Sequence, residues 1–229
     1  MVVVPKKPYH HGSLDQALVE AGMEAVRDVG ISKISLRELA RAVGVSSSAA
    51  YRHFPSREYF EMRVSQRCRE ALAQAMNDAS SRIVGSNTKR RSVERFEALG
   101  RAYVQFAMSS PTLFEAAFSR NEVVVDRLDD PSPWLSLTDS VEQMIDAGVI
   151  PSARRKDVPM IAWSSVHGIA TIVTSSIWPA GVSADQQIDS VIAGIIRSIK
   201  YGDTDRTRLH RDQVKLRVEH SCVAARRVA

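Results

Sequence analysis

Residues 35–58, SLRELARAVGVSSSAAYRHFPSRE, gather the groups in this chain best suited to holding phosphates and reading base edges. Two short helical patterns flank Gly44, and the second shows Ser47, Ser48, Tyr51 and Arg52 on one side with Ala50 and Phe54 on the other. A short helix with two serines, an arginine and an aromatic turned outward is poor core material. It is good material for a nucleic-acid groove, where hydroxyls and guanidinium groups meet phosphates and bases. One helix bracing the fold and a second presenting polar groups is the layout of a helix-turn-helix.

The local punctuation supports that layout. Ser35 stands three residues before Glu38, the spacing of a reciprocal cap at a helix start. Leu36, Leu39, Ala40 and Val43 recur on one face, and Gly44 follows where a left-handed residue ends a helix. Ser46 is placed to cap a helix over 47–53; Pro55 stops it and Ser56 is placed to cap the next.

With these residues in view, the segment resembles the DNA-binding domain of the TetR family of transcriptional regulators. The likeness rests on the run Tyr51-Arg52-His53-Phe54 followed by Pro55-Ser56-Arg57-Glu58, and it reaches back through the first helix to Tyr9-His10-His11-Gly12. It implies that Tyr51, His53 and Arg57 hold DNA phosphates, that Ser47, Ser48 and Arg52 face base edges, and that Arg37 on the bracing helix reaches a base or phosphate. Ser46, at the head of the recognition helix, completes the DNA-binding set. Ala49 departs from the pattern: many members carry a threonine there that touches the backbone, and that contact is missing here.

The elements that must carry this site all read as helices. A first helix is expected over 14–29, with Ser13 and Gln16 as a capping box and Leu14, Ala17, Leu18, Ala21, Ala25, Val26 and Val29 as its buried stripe. A long fourth helix from about residue 56 to 80 links head to body. Gly85-Ser86-Asn87-Thr88 reads as a loop, residues 89–108 as a helix, and Ser109-Ser110-Pro111 as a break before a short helix through Phe118. A further loop at 129–133 precedes a helix over 134–147. No strand-type alternation of any length appears, so the fold is expected to be all-α. It divides into an N-terminal three-helix helix-turn-helix DNA-binding domain (1–55), a C-terminal helical ligand-binding and dimerisation domain (56–200), and a polar basic tail (201–229) expected to be mobile.

Two stretches of the body invite sharper readings. Residues 158–184 carry no Asp, Glu, Lys or Arg, long enough for a bilayer span, but five serines, two threonines, a histidine and two prolines interrupt them. A helix buried on most sides is the expectation, not a membrane segment. Next, Ile188, Val191, Ile192, Ile195, Ile196 and Ile199 make a complete apolar stripe. It fits either the core of one chain or one half of a four-helix bundle shared by two chains. The family resemblance implies the second, a homodimer interface.

Trp163, His167 and Gly168 stand at the spacing of a signature found in the C-terminal domain of one TetR subgroup, which extends the resemblance over about 9–200. Domains of this kind enclose a pocket for a small-molecule effector. Phe96, Tyr103, Phe106, Phe114, Phe118, Trp134, Met144, Trp163 and His167 are the candidates for its wall, since apolar pockets and cores share a composition. The surroundings of His167 hold no charged residue, which disfavours the imidazolium and favours a neutral or planar apolar effector.

Other classes are excluded by what is missing. The chain has no G-x-S-x-G elbow, H-E-x-x-H pair, P-loop or G-x-G-x-x-G turn, and Ser164, Ser165 and His167 have no acidic neighbour. It is not read as an enzyme, and no cofactor is called for. Two distant cysteines and the adjacent His10-His11 make neither a disulfide framework nor a metal site. The apolar run at the N-terminus is too short for a signal peptide, so a cytoplasmic location is expected. The net charge of +5 is uneven: +3 over residues 1–57, −1 over 58–200 and +3 over 201–229. A basic head on a near-neutral body fits double-stranded DNA as partner. The expected function is a ligand-responsive repressor acting as a homodimer on a palindromic operator. The alternative is an architectural protein that binds DNA without sequence preference.

Overall fold

The computed structural model describes residues 14–119 and 132–200. Among them every regular element is helical: α1 (Leu14–Val29), α2 (Leu36–Val43), α3 (Ser47–His53), α4 (Arg57–Ser81), α5 (Thr88–Ser109), α6 (Pro111–Ala117), α7 (Pro133–Asp146), α8 (Val158–Val173) and α9 (184–200), with short 3₁₀ turns at Ile31–Lys33 and Ser152–Arg154. Most boundaries follow from local caps. The side chains of Ser35, Ser46, Ser56, Asn87 and Ser132 each accept a backbone N–H at the start of the helix they precede. Pro133, expected in a loop, instead opens α7, where its missing N–H costs nothing.

Two apolar clusters hold these helices together. The head cluster joins Leu18, Met23, Val26, Leu36, Ala40, Ala50 and Phe54 to Phe60, Val64 and Cys68 of α4 and to Leu113, Ala116 and Ala117 of α6. The body cluster takes Leu72 and Met76 further along α4, Phe114 of α6, and the inner faces of α5, α7, α8 and α9. The expected division at residues 55 and 56 falls at the α3–α4 junction. The apolar packing changes hands later, between Cys68 and Leu72, so α4 and α6 belong to both clusters.

Three expectations are corrected by packing. Val29 is 46% exposed, whereas Val19, Gly22 and Met23 are buried, because α1 is gripped by α4 on a side the stripe did not include. Helix α8 is only 16 residues long and is not buried on most sides: Met160 is 55% and Ile172 43% exposed. No described helix is long and apolar enough to cross a membrane. The isoleucine stripe of α9 packs into its own chain: Ile188, Ile192, Ile195, Ile196 and Ile199 are buried in the body cluster, with Val191 against it. It is therefore core of its own chain. The tail 201–229, Ser13, Cys222 and the Tyr9–Gly12 stretch lie outside the described residues.

Candidate nucleic-acid interface and effector cavity

Each residue of the helix-turn-helix is set by local rules. Ser35 Oγ accepts the Glu38 N–H at 3.4 Å, and Gly44 adopts φ 88° so that its N–H turns back to Ala40 and Arg41 carbonyls. Ser46 Oγ accepts the Ala49 N–H at 3.1 Å, which starts α3. Ala50 and Phe54 then face the core, both fully buried, while Ser48, Tyr51 and Arg52 stand outward and Ser47 is half-buried. The recognition-like surface thus sits on a rigid frame, with Tyr51 an exposed aromatic that nothing in the core requires.

The basic residues sort into two groups. Arg37 and Arg52 are exposed and make no ion pair or hydrogen bond among the described residues. Arg41, one turn beyond Arg37 and equally exposed, joins them, and the i,i+4 spacing puts both on one face of α2. His53 and Arg57 are engaged inside the head. His53 Nδ1 pairs with the Asp15 carboxylate of α1. The Arg57 guanidinium donates to the Ser32 carbonyl at 2.6 Å and to Glu61 Oε1 at 2.7 Å. These contacts tie the end of α3 to α1 and the start of α4 to the first 3₁₀ turn. Both side chains therefore have a positioning role that the resemblance did not assign. Ser46 likewise spends its hydroxyl on the cap.

In the body, the aromatic candidates meet around Tyr103. Its ring packs edge-on against Phe114 (5.5 Å between centroids) and Trp163 (5.6 Å), and tilted against Phe118 (6.3 Å). Trp163 and His167, one helical turn apart, lie nearly parallel at 6.1 Å, and Trp134 packs edge-on against Trp163. The Tyr103 hydroxyl and His167 Nδ1 are 2.7 Å apart, a hydrogen bond. Burial pushes the Tyr103 phenol well above its ordinary value and holds the His167 imidazolium below its own.

A small cavity of about 20 Å³, room for one water-sized guest, lies beside this group. Of the nine wall candidates, Phe96, Tyr103 and Trp163 line it. Phe106, Phe114, Phe118, Trp134, Met144 and His167 do not; most of them back the lining residues or fill core. The remaining wall comes from residues that aromatic content could not single out, among them Met76, Gly100, Leu137, Val166 and Ile192. No group of three or more metal-binding side chains occurs among the described residues.

A capped two-helix reader on a basic, cross-braced head, joined through shared helices to a body with an internal cavity, defines a helix-turn-helix DNA-binding regulator. Comparison with known proteins narrows this. Residues 18–59 match the model described as "Bacterial regulatory proteins, tetR family", and residues 96–195 match "Tetracyclin repressor-like, C-terminal domain". The chain belongs to the TetR family of transcriptional regulators, a family that is not enzymatic.

Among curated proteins it is 31% identical over 113 residues to the nucleoid occlusion factor SlmA of Aliivibrio fischeri (strain MJ11), covering 49% of this chain and 53% of the relative. It is 26% identical over 122 residues to the uncharacterized HTH-type transcriptional regulator YobS of Bacillus subtilis (strain 168), covering 51% and 60%. The chain thus spans between about half and three fifths of the curated relatives it matches. Among solved structures, a protein of unknown function from Rhodococcus sp. RHA1 superposes with TM-score 0.68 at 24% identity, covering 85% of this chain and all of that one. A TetR family transcription regulator from Marinobacter aquaeolei VT8 does so with TM-score 0.58 at 17% identity, covering 81% and 94%. These structures share the fold.

Proposed function

We propose that this regulator is a ligand-responsive repressor that binds a palindromic operator as a homodimer. The observation that carries the reading is the division of labour on the head: Ser48, Tyr51 and Arg52 project from a frame that His53 and Arg57 lock from behind. Arg52, with Ser47 and Ser48, reads bases, while Tyr51, Arg37 and Arg41 fix register on phosphates. Selection of random duplex DNA by the full chain, sequenced at physiological salt, tests this. A palindromic motif supports it; binding with no enriched motif favours the architectural alternative. On the selected site, Arg52→Ala relaxes preference at particular bases, whereas Tyr51→Phe weakens all sites about equally. Identical behaviour of the two variants would contradict the assignment.

Because the isoleucine stripe is core, the dimer face falls to the uncharged outer side of α8. Met160, Ser164, Gly168 and Ile172 follow one another at one-turn spacing there, and a Cβ built on Gly168 meets nothing within 4 Å. A second chain can approach closely at such a position. Ile172→Glu is expected to leave a folded monomer by sedimentation velocity at concentrations where the parent is a dimer. A dimeric Ile172→Glu protein would move the interface elsewhere.

The coupling runs through α6 as well as α4. On α6, Phe114 packs in the body beside Tyr103 while Leu113, Ala116 and Ala117 pack in the head. Thr112 Oγ1 donates to the Arg27 carbonyl of α1, and an Arg69 N–H of α4 donates to the Ala117 carbonyl. A ligand that moves Tyr103 and Phe114 therefore moves a helix anchored to both α1 and α4. It releases DNA only if it binds the two states unequally; tight binding with unchanged operator affinity would refute the coupling.

A further inference from the structure

The cavity beside Tyr103 restricts the chemistry of its ligand more tightly than the ligand-responsive reading, on which this inference rests, requires. None of its lining side chains carries a formal charge. The polar side-chain atoms of the lining are the Tyr103 hydroxyl, already bonded to His167, and the Trp163 indole N–H. A carboxylate or ammonium entering this space would lose its hydration and meet no counter-charge, a heavy penalty in an apolar surround. An apolar molecule pays no such penalty, and one hydroxyl or carbonyl on it can join the Tyr103–His167 pair.

Gly100 determines how much room there is. It lies in the middle of α5 with no positive φ, so its conformation does not call for glycine. A Cβ built there would lie 3.7 Å from Val166 Cγ2 and 3.8 Å from Ile192 Cδ1, ordinary contact distances. An alanine would fit, and its methyl would occupy the space between α5, α8 and α9. The glycine thus leaves a slot open at the junction of three helices. A ring-sized guest still exceeds the present void, so it must push aside Tyr103 or Trp163, the side chains that lean on Phe114 of α6 and on Phe118 just after it.

We propose that the effector is an uncharged, largely apolar molecule with a single hydrogen-bonding group that meets the Tyr103 hydroxyl, and that Gly100 sets the space available to it. Toluene, p-cresol and 4-methylbenzoate share a ring and a methyl and differ only in the polar group. Titrated calorimetrically into the full chain at neutral pH, p-cresol is expected to bind at least tenfold more tightly than 4-methylbenzoate. Gly100→Ala should weaken p-cresol at least fivefold, and Tyr103→Phe should equalise p-cresol and toluene. Comparable binding of the carboxylate, binding of none of the three, or full p-cresol affinity in Gly100→Ala would each overturn the proposal. Operator affinity at saturating p-cresol separates the two levels of inference. If it is unchanged while the binding pattern holds, the chemical class of ligand stands and the ligand-responsive reading falls.

Discussion

Phe54→Ala is expected to destabilise the protein by about 3–5 kcal/mol, the usual range for removing a buried phenylalanine, and to abolish operator binding. Phe54 is fully buried at the end of α3, and its N–H closes that helix onto the Ala50 carbonyl at 3.0 Å. Its ring packs edge-to-face on Phe60 at 5.0 Å and tilted on Tyr59 at 6.3 Å. The same side chain thus ends the recognition-like helix, pins it to the first turns of α4, and fills the middle of the head cluster. With only seven residues, α3 has little stability of its own, because an isolated helix needs about 12–15 residues to persist in water. Loss of the ring should free the surface that carries Tyr51 and Arg52 without touching either residue. Urea unfolding and operator titration on the same preparation check this. A parent-like midpoint, or parent-like affinity, would show that α3 is held by something other than Phe54.

The second large effect is a contrast between identical substitutions. Gly22→Ala should destabilise by about 1–3 kcal/mol, the cost of overpacking a filled core, whereas Gly100→Ala should stabilise by up to about 1 kcal/mol, the gain in helix propensity. Both glycines are buried in helices, so propensity alone predicts a gain at each. The neighbours reverse the sign at the first. A Cβ on Gly22 would come within 2.6 Å of Val64 Cγ2 and 2.9 Å of Phe60 Cζ, two fully buried side chains. Val64 is β-branched and has little rotamer freedom with which to yield, so α1 and α4 must separate. At Gly100 the nearest atoms are 3.7 Å away and nothing has to move. Thermal midpoints of the two variants should fall on opposite sides of the parent. A stabilised Gly22→Ala protein would mean that α1 and α4 do not approach as described.

What was legible in advance is what neighbouring residues decide among themselves. Ser35, Gly44, Ser46, Pro55 and Ser56 act through backbone groups one to four positions away, so the limits of α2 and α3 and the outward Ser48, Tyr51 and Arg52 could be read from the chain alone, whereas Ser47, expected outward with them, is half-buried. Periodicity likewise revealed that the isoleucine face of α9 is buried, but an apolar stripe carries no record of which chain buries it. The tertiary structure decided that this stripe is core and left α8 the uncharged outer face. It also decided that His53 meets Asp15, and Arg57 the Ser32 carbonyl, partners 38 and 25 residues away in sequence. The cavity is the clearest case, since Met76, Gly100, Leu137, Val166 and Ile192 come from five helices and share no local pattern. Caps and faces follow from short-range sterics and hydrogen bonding. Partners and voids follow from how whole helices pack, which no local window contains.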